Sequence, residues 1–219
     1  MKRVLAPEIT DSYEAARDYD DMEHGEVSRE FVDDLLALGN FGNDILDVGT
    51  GTSWIAIEVC RRLEDCRIMA IDLSTYMLDL ARLNIEIAGL IQRITLDHVD
   101  ARQLPYPDQY FDLVMSNRVL HHFEDPSLFL RGAIRVVRPE GLLFVRDFVR
   151  PESEERVVAC AQALAAGSHE AQQAMYAEWL RSSLELDEIR NIVQGLGYAA
   201  ESVQPTGDYH WTWIARRNN

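Results

Sequence analysis

Cysteine is scarce in this chain. Positions 60, 66 and 160 hold the three present, an odd number with no C-x-x-C spacing, and they read as ordinary thiols of a reducing compartment rather than as a disulfide or zinc framework. Long apolar runs are lacking as well. No stretch of about 20 apolar residues occurs, and the opening MKRVLAPEITDS has a three-residue apolar stretch before Pro7 instead of a secretory core. The expectation is a soluble, cytoplasmic protein with no membrane partner. Basic residues are few, 21 against 37 acidic, and the formal charge of −16 repels phosphate backbones, so no nucleic-acid partner is expected. Arg131, Arg135 and Arg138 are the nearest thing to a basic patch, and their spacing fits one solvated helix face. No internal repeat, linker or low-complexity tract breaks the 219 residues, which suit one domain with a substantial core.

What is present is alternation. The runs 45–49, 67–72, 94–99, 111–116 and 141–148 read as strands, several of them apolar on both faces as a covered parallel sheet requires. Helical patterns lie between them: Ile55, Val59 and Leu63; Leu80, Leu83 and Ile87 before Gly89; and Leu130, Ile134 and Val137 between Asp125-Pro126 and Pro139-Glu140-Gly141. The order predicts a doubly wound, mostly parallel α/β sheet. Residues 11–38 and 153–181 read as helical, a further helix is predicted near 186–195, and short strands at 198–204 and 209–215, split by Pro205-Thr206-Gly207, predict a closing antiparallel hairpin. The predicted division is a helical cap (1–39), a ligand-binding core (40–150), a helical insertion (151–183) and the final helix with the hairpin (184–219).

The chemistry gathers at strand ends. Asp47-Val48-Gly49-Thr50-Gly51-Thr52-Ser53 follows the first strand and opens a helix. Its glycines permit a tight turn and a close backbone approach to a ligand, and the helix N-terminus offers N–H groups to an anion. Asp72 ends the second strand, where a carboxylate can accept from ribose hydroxyls or else cap the next helix; Ser74 is available for that capping. Asp100, followed by Ala101, ends the third strand, and Ser116-Asn117-Arg118-Val119-Leu120-His121-His122 follows the fourth. Four successive strand ends therefore carry polar groups at the edge where open α/β sheets bind ligands.

ILDVGTGTS, MAIDLSTYML, HVDARQLPYPDQYFDLVMSNRVLHHFEDP and RVVRPEGLLFVRD together resemble the class I S-adenosylmethionine (SAM)-dependent methyltransferases, especially the small-molecule branch that includes quinone-biosynthesis enzymes. The resemblance is strong over residues 40–150 and looser through the hairpin. It implies a Rossmann-like, seven-stranded sheet and SAM as cofactor. It also implies that Asp47, Gly49, Thr50 and Gly51 line the methionine portion and that Asp72 holds the ribose, with Leu73 and Met77 near the adenine. Asp100 would accept from the adenine amino group beside the Ala101 backbone, and Asn117 would lie by the departing methyl. Where the family usually has a third glycine this chain has Ser53, with Trp54 next.

The acceptor side is less defined. His121 and His122 are candidate bases, with packing under the loop or capping as the alternative roles. Adjacent histidines with no third ligand at telling spacing do not make a metal site. Tyr13 and Tyr19 either close the pocket or pack. Asp147 either binds a polar acceptor or pairs with Arg146 or Arg150. The insertion, with Met175, Tyr176 and Trp179, is a lid, core or dimer contact. The expected partner is a small-molecule substrate, and the expected state a monomer or homodimer. A nicotinamide-dependent oxidoreductase would need G-x-G-x-x-G, whose last position here is Trp54, and a P-loop would need G-K-[ST]. A non-enzymatic SAM-binding partner or regulatory subunit stands as the rival.

Overall fold

The computed structural model describes residues 1–5, 12–22, 24–166 and 170–217. Its elements run in the order α1 (Tyr13–Asp20), α2 (His24–Leu36), β1 (Asp44–Val48), α3 (Trp54–Arg62), β2 (Arg67–Asp72), α4 (Thr75–Ile87), β3 (Ile94–His98), β4 (Phe111–Asn117), α5 (Ser127–Val136), β5 (Val137–Phe148), α6 (Glu154–Leu164), α7 (Glu170–Ser182), α8 (Leu186–Gly195), β6 (Val203–Thr206) and β7 (His210–Arg216). The strands form one seven-stranded sheet in the order β3-β2-β1-β4-β5-β7-β6. β1, β2, β3 and β4 pair in parallel, whereas β6 and β7 pair antiparallel, as the predicted doubly wound sheet with a closing hairpin requires.

The chain divides into two compact units. One, here the glycine-turn unit, comprises Asp11–Asn117, Leu128–Phe144 and Arg216–Asn219. Its centre is β1, buried from Ile45 to Val48 and flanked by β2 and β4, because a strand covered on both faces must be apolar on both. Phe31, Val32 and Leu35 of α2 are buried, and Phe31 meets Phe144 edge-to-face with ring centroids 4.8 Å apart. Ser12 caps α1 by accepting from the Ala15 N–H, and Ser74 caps α4 by accepting from the Met77 N–H.

The other, the histidine unit, comprises Met1–Thr10, Arg118–Ser127 and Val145–Ala215. Trp211 and Trp213 of β7 are fully buried, and the Trp213 indole N–H donates to Ser202 Oγ at 3.1 Å. Arg150 is buried and held by both Glu188 oxygens, at 2.8 and 2.9 Å, and by the Ser183 carbonyl, which compensates the desolvation of its charge.

Several expectations are corrected. On α4 the buried positions are Leu78, Ala81 and Ile85, while Leu83 and Ile87 are exposed; the helix presents a neighbouring stripe to the core. Arg131, Arg135 and Arg138 do not share a solvated helix face. Arg135 donates to the Tyr106 and Leu104 carbonyls, and Arg138 lies on β5 and pairs with Asp112 and Asp44. Pro139-Glu140-Gly141 does not separate helix from strand, because β5 already begins at Val137. The hairpin turns at 207–209 rather than at Pro205, which lies within β6, an end strand of the sheet where a missing N–H is tolerated. The predicted helical stretch 11–38 is two helices, as is 153–181; residues 11, 23 and 167–169 of these stretches lie outside the described residues.

Candidate active site

The turn after β1 is pinned to the end of β2. The N–H groups of Gly49 and Thr50 both donate to the Ile71 carbonyl at 2.9 Å, and Gly49 and Gly51 take φ of 69° and 54°. The Gly51 N–H donates to Asp72 Oδ2 at 2.9 Å, and the Ser74 N–H to Asp72 Oδ1 at 2.9 Å. Asp72 therefore orders the turn before it and the loop that follows it, while the helix cap is Ser74 and not Asp72. A carboxylate has about four acceptor positions, which lets it serve both the backbone and a ligand's hydroxyls. A Cβ on Gly51 would come within 3.2 Å of the Tyr19 ring, so the bare backbone lets α1 approach the turn.

Ser53 occupies a left-handed conformation, φ 67°, as the N-cap of α3. A glycine adopts that conformation freely, whereas a serine is strained there by about 1–3 kcal/mol. Its hydroxyl lies 3.0 Å from Thr50 Oγ1, which donates to Asp47 Oδ2 at 2.7 Å. Trp54, next in sequence, donates its indole N–H to Asp20 Oδ1 at 2.9 Å, and Asn84 donates to the same oxygen at 3.0 Å and to the Thr52 carbonyl at 3.1 Å. Sequence reasoning missed this clasp between α1, α3 and α4. The side-chain types at 20, 54 and 84 have no local spacing that reveals it.

Burial pushes the Asp47 carboxyl up to about 7, and the nearby Asp72 charge adds to the rise, against the lowering effect of the Thr50 hydroxyl. Two polar atoms of this unit, Thr52 Oγ1 and Asn117 Oδ1, are buried with no hydrogen-bond partner among the described residues. Leu73 is exposed beside Asp72, Met77 is half-buried, and Ala101 is buried. His98 Nε2–H donates to the Leu73 carbonyl at 2.8 Å, and Asp72 pairs with His98 in the register of β2 and β3, so Asp100 stands two residues beyond an aligned strand end. The side chain of Asp100 is clasped by Arg102, at 2.6 Å from Nη2 to Oδ2, which holds its pKa below the ordinary carboxylate range. Tyr13 is exposed. Gly49, Asp72 and Asp100 are thus brought to one edge, at the C-terminal ends of three adjacent parallel strands, beside the reversal of strand order between β1 and β4.

In the histidine unit Asp147 pairs with neither Arg146 nor Arg150. Its partner is His121. The ring Nδ1–H donates to Asp147 Oδ1 at 2.8 Å and the His121 backbone N–H to Oδ2 at 3.1 Å, with both side chains 1% exposed. Burial alone would raise the Asp147 carboxyl, but His121 and the Phe148 N–H, 2.7 Å away, hold it below its ordinary range. A proton fixed on Nδ1 leaves Nε2 as an acceptor, and that buried atom has no partner among the described residues. The His122 ring lies against that of His121, ring centroids 4.1 Å apart, and burial lowers the His122 pKa to about 3. Trp179 of α7 packs 5.6 Å from His121, and Tyr176 packs 5.3 Å from Trp179, so the insertion contributes aromatic side chains to the wall around the dyad. Arg118, at φ 61°, sits 4.6 Å above the Phe148 ring and donates to His210 Nε2 at 3.2 Å. No pattern in the sequence marks that contact.

A strand order of 3-2-1-4-5-7-6 with a glycine turn after β1 and an acid ending β2 defines a Rossmann-like nucleoside-binding fold closed by an antiparallel hairpin. Residues 46–145 match the family described as Methyltransferase domain. The chain is 30% identical over 179 residues to 27-O-demethylrifamycin SV methyltransferase of Amycolatopsis mediterranei, covering 80% of this chain and 62% of that protein. It is 30% identical over 111 residues to a ubiquinone/menaquinone biosynthesis C-methyltransferase of Vibrio vulnificus, covering 50% of this chain and 43% of that one. The chain thus spans less than two thirds of the length of these curated relatives. A SAM-dependent methyltransferase structure from Aquifex aeolicus superposes with a TM-score of 0.67 at 19% identity, over 94% of this chain and 98% of the other, and so shares the fold. Residues 46–145 thus carry a methyltransferase domain, and the chain is similar to SAM-dependent methyltransferases over that core. No helix among the described residues is long and apolar enough to cross a membrane.

Proposed function

We propose that the protein transfers a methyl group from SAM to a small-molecule acceptor. The observation that carries this reading is the Gly51 N–H bonded to Asp72, with Asp100 just beyond the adjoining strand end: one edge offers a close backbone approach and two carboxylates, of the kind that a ribose and an amino group would need. The residues fit the cofactor. Gly49 and Gly51 leave the turn without side chains, and the buried, unpartnered Thr52 Oγ1 and Asn117 Oδ1 are polar atoms that a ligand can satisfy. Asp47, Gly49, Thr50 and Gly51 would line the methionine portion, Asp72 would hold the ribose, Leu73 and Met77 would face the adenine, and Asp100 with the Ala101 backbone would bind its edge.

When bound, SAM supplies a methyl group already made electrophilic by its sulfonium. The chain has then to orient an acceptor, exclude water and remove a proton where the acceptor carries one. Of the two adjacent histidines we assign the base to His121. Asp147 fixes its tautomer and leaves Nε2 to take the proton, whereas a His122 pKa near 3 makes that ring a weak base. Asp147 is the positioning residue rather than an acceptor ligand. Tyr19, against Gly51, closes the turn from the α1 side; Tyr13 is left as a surface residue available to the acceptor. The three free cysteines and the acidic charge fit a cytoplasmic enzyme without a nucleic-acid partner, working as a monomer or homodimer.

Calorimetry with S-adenosylhomocysteine tests the binding half, and methyl transfer from labelled SAM to fractionated small-molecule extract tests the catalytic half. Binding without transfer to any fraction would favour the rival, a SAM-binding regulatory subunit. Binding of NADH without S-adenosylhomocysteine would end the reading.

A further inference from the structure

Cys60, in the last turn of α3, and Cys66, immediately before β2, have their sulfurs 3.5 Å apart, and both are free and buried. A single arginine organises the segment between them. Arg93 donates to the Cys60 carbonyl at 2.8 Å, to the Cys66 carbonyl at 3.2 Å, to the Leu63 carbonyl, and to Cys66 Sγ at 3.1 Å. Isolated buried cysteines behave as small apolar side chains. This pair differs in two respects: the sulfurs already touch, and a guanidinium N–H points at one of them.

We propose that Cys60 and Cys66 form a reversible thiol–disulfide site oxidised by a small peroxide, with Cys66 as the attacking sulfur, Arg93 as its activating cation and Cys60 as the resolving thiol. The Cys66 thiolate attacks one peroxide oxygen. An S–O bond forms, the O–O bond breaks, and hydroxide leaves and is protonated to water. Cys60 then attacks the Cys66 sulfenic acid. The S–S bond forms, the S–O bond breaks, and the departing hydroxide takes the Cys60 proton as a second water. Two thiols lose two electrons, and the peroxide gains them. Closing the bridge requires the sulfurs to approach from 3.5 Å to about 2.05 Å, a small movement for a helix end joined to a loop. The asymmetry of the pair agrees with these roles: the hydrogen bond from Cys60, and then Arg93, lower the Cys66 thiol to about 7 against burial, while Cys60 is pushed up.

The test uses the full chain with Cys160→Ala, so that the pair holds the remaining thiols. After hydrogen peroxide, intact mass should fall by the two hydrogens of one disulfide, with alkylation under denaturing conditions blocked at both sulfurs and restored by dithiothreitol. The oxidation rate should rise as pH passes through about 7, and Arg93→Gln should slow it about tenfold or more. With Cys60→Ser, dimedone should label Cys66. Both thiols remaining alkylatable, addition of oxygen without bridge formation, or dimedone labelling confined to Cys60 in a Cys66→Ser chain would each overturn the proposal. Should Arg93→Gln fail to fold, the pH dependence of the parent chain and the dimedone site still decide it.

Discussion

The backbone N–H of Gly51 donates to the Asp72 carboxylate across 2.9 Å, joining the turn after β1 to the end of β2 from 21 residues away in sequence. That one bond shapes the turn and orients the acid, so disturbing it acts on ligand binding through both.

Asp72→Ala removes the acceptor for the Gly51 and Ser74 N–H groups and for a ribose. A hydrogen bond to a charged group is worth about 1.5–3 kcal/mol, so affinity for S-adenosylhomocysteine should weaken by roughly 10- to 150-fold. Titration calorimetry measures it. Unchanged affinity in a folded variant would separate Asp72 from the ribose.

Trp54→Phe keeps the ring and deletes the N–H that reaches Asp20 Oδ1, leaving Asn84 as the remaining named donor to that oxygen. The expected loss is about 0.5–1.5 kcal/mol, seen as a lower urea midpoint at constant slope. A midpoint equal to that of the parent would show that the clasp contributes nothing to stability.

Asp47 gives a pH signature of the less usual sign. Its carboxyl titrates at about 7 in the fold against 3.8 in the unfolded chain, so between those values the native state holds a proton that the unfolded state has released. Stability from this group therefore falls as pH rises through that window, by up to about 1.4 kcal/mol per unit, and levels off above 7. Asp47→Asn keeps the shape without the titration. Its melting temperature relative to the parent should climb from pH 4 to pH 7 and then stay level; a constant difference would mean that Asp47 ionises normally.

Asp147→Asn retains the contact to His121 while removing the charge and allowing the wrong ring tautomer. With an acceptor identified, kcat should drop by about 10²–10⁴ with little change in KM, and His121→Gln should match it. The pH profile distinguishes this from simple misfolding, because the limb attributed to the base should vanish in both variants. A change confined to KM would make the dyad structural.

Some of this architecture was readable from local pattern. In a parallel sheet every strand ends at the same edge, so a glycine turn after the first strand and acids closing the second and third must assemble there, whatever packs above them. Asp47, Gly49, Asp72 and Asp100 depend on chain order alone, and their placement agrees with that reading. The stripe on α4 was misjudged because Leu80, Leu83 and Ile87 are as apolar as Leu78, Ala81 and Ile85, and periodicity does not choose between two adjacent faces.

Pattern along the chain was sufficient for the order of strands, the parallel core, the glycine turn and the acids at its edge, because these follow from backbone geometry and side-chain period. The partners of individual side chains were decided in three dimensions: Asp147 with His121 instead of an adjacent arginine, Trp54 with Asp20, Arg118 with His210, and Arg93 with the paired cysteines. A buried polar group takes whichever complement packing brings within about 3 Å, and that distance is unrelated to separation along the chain.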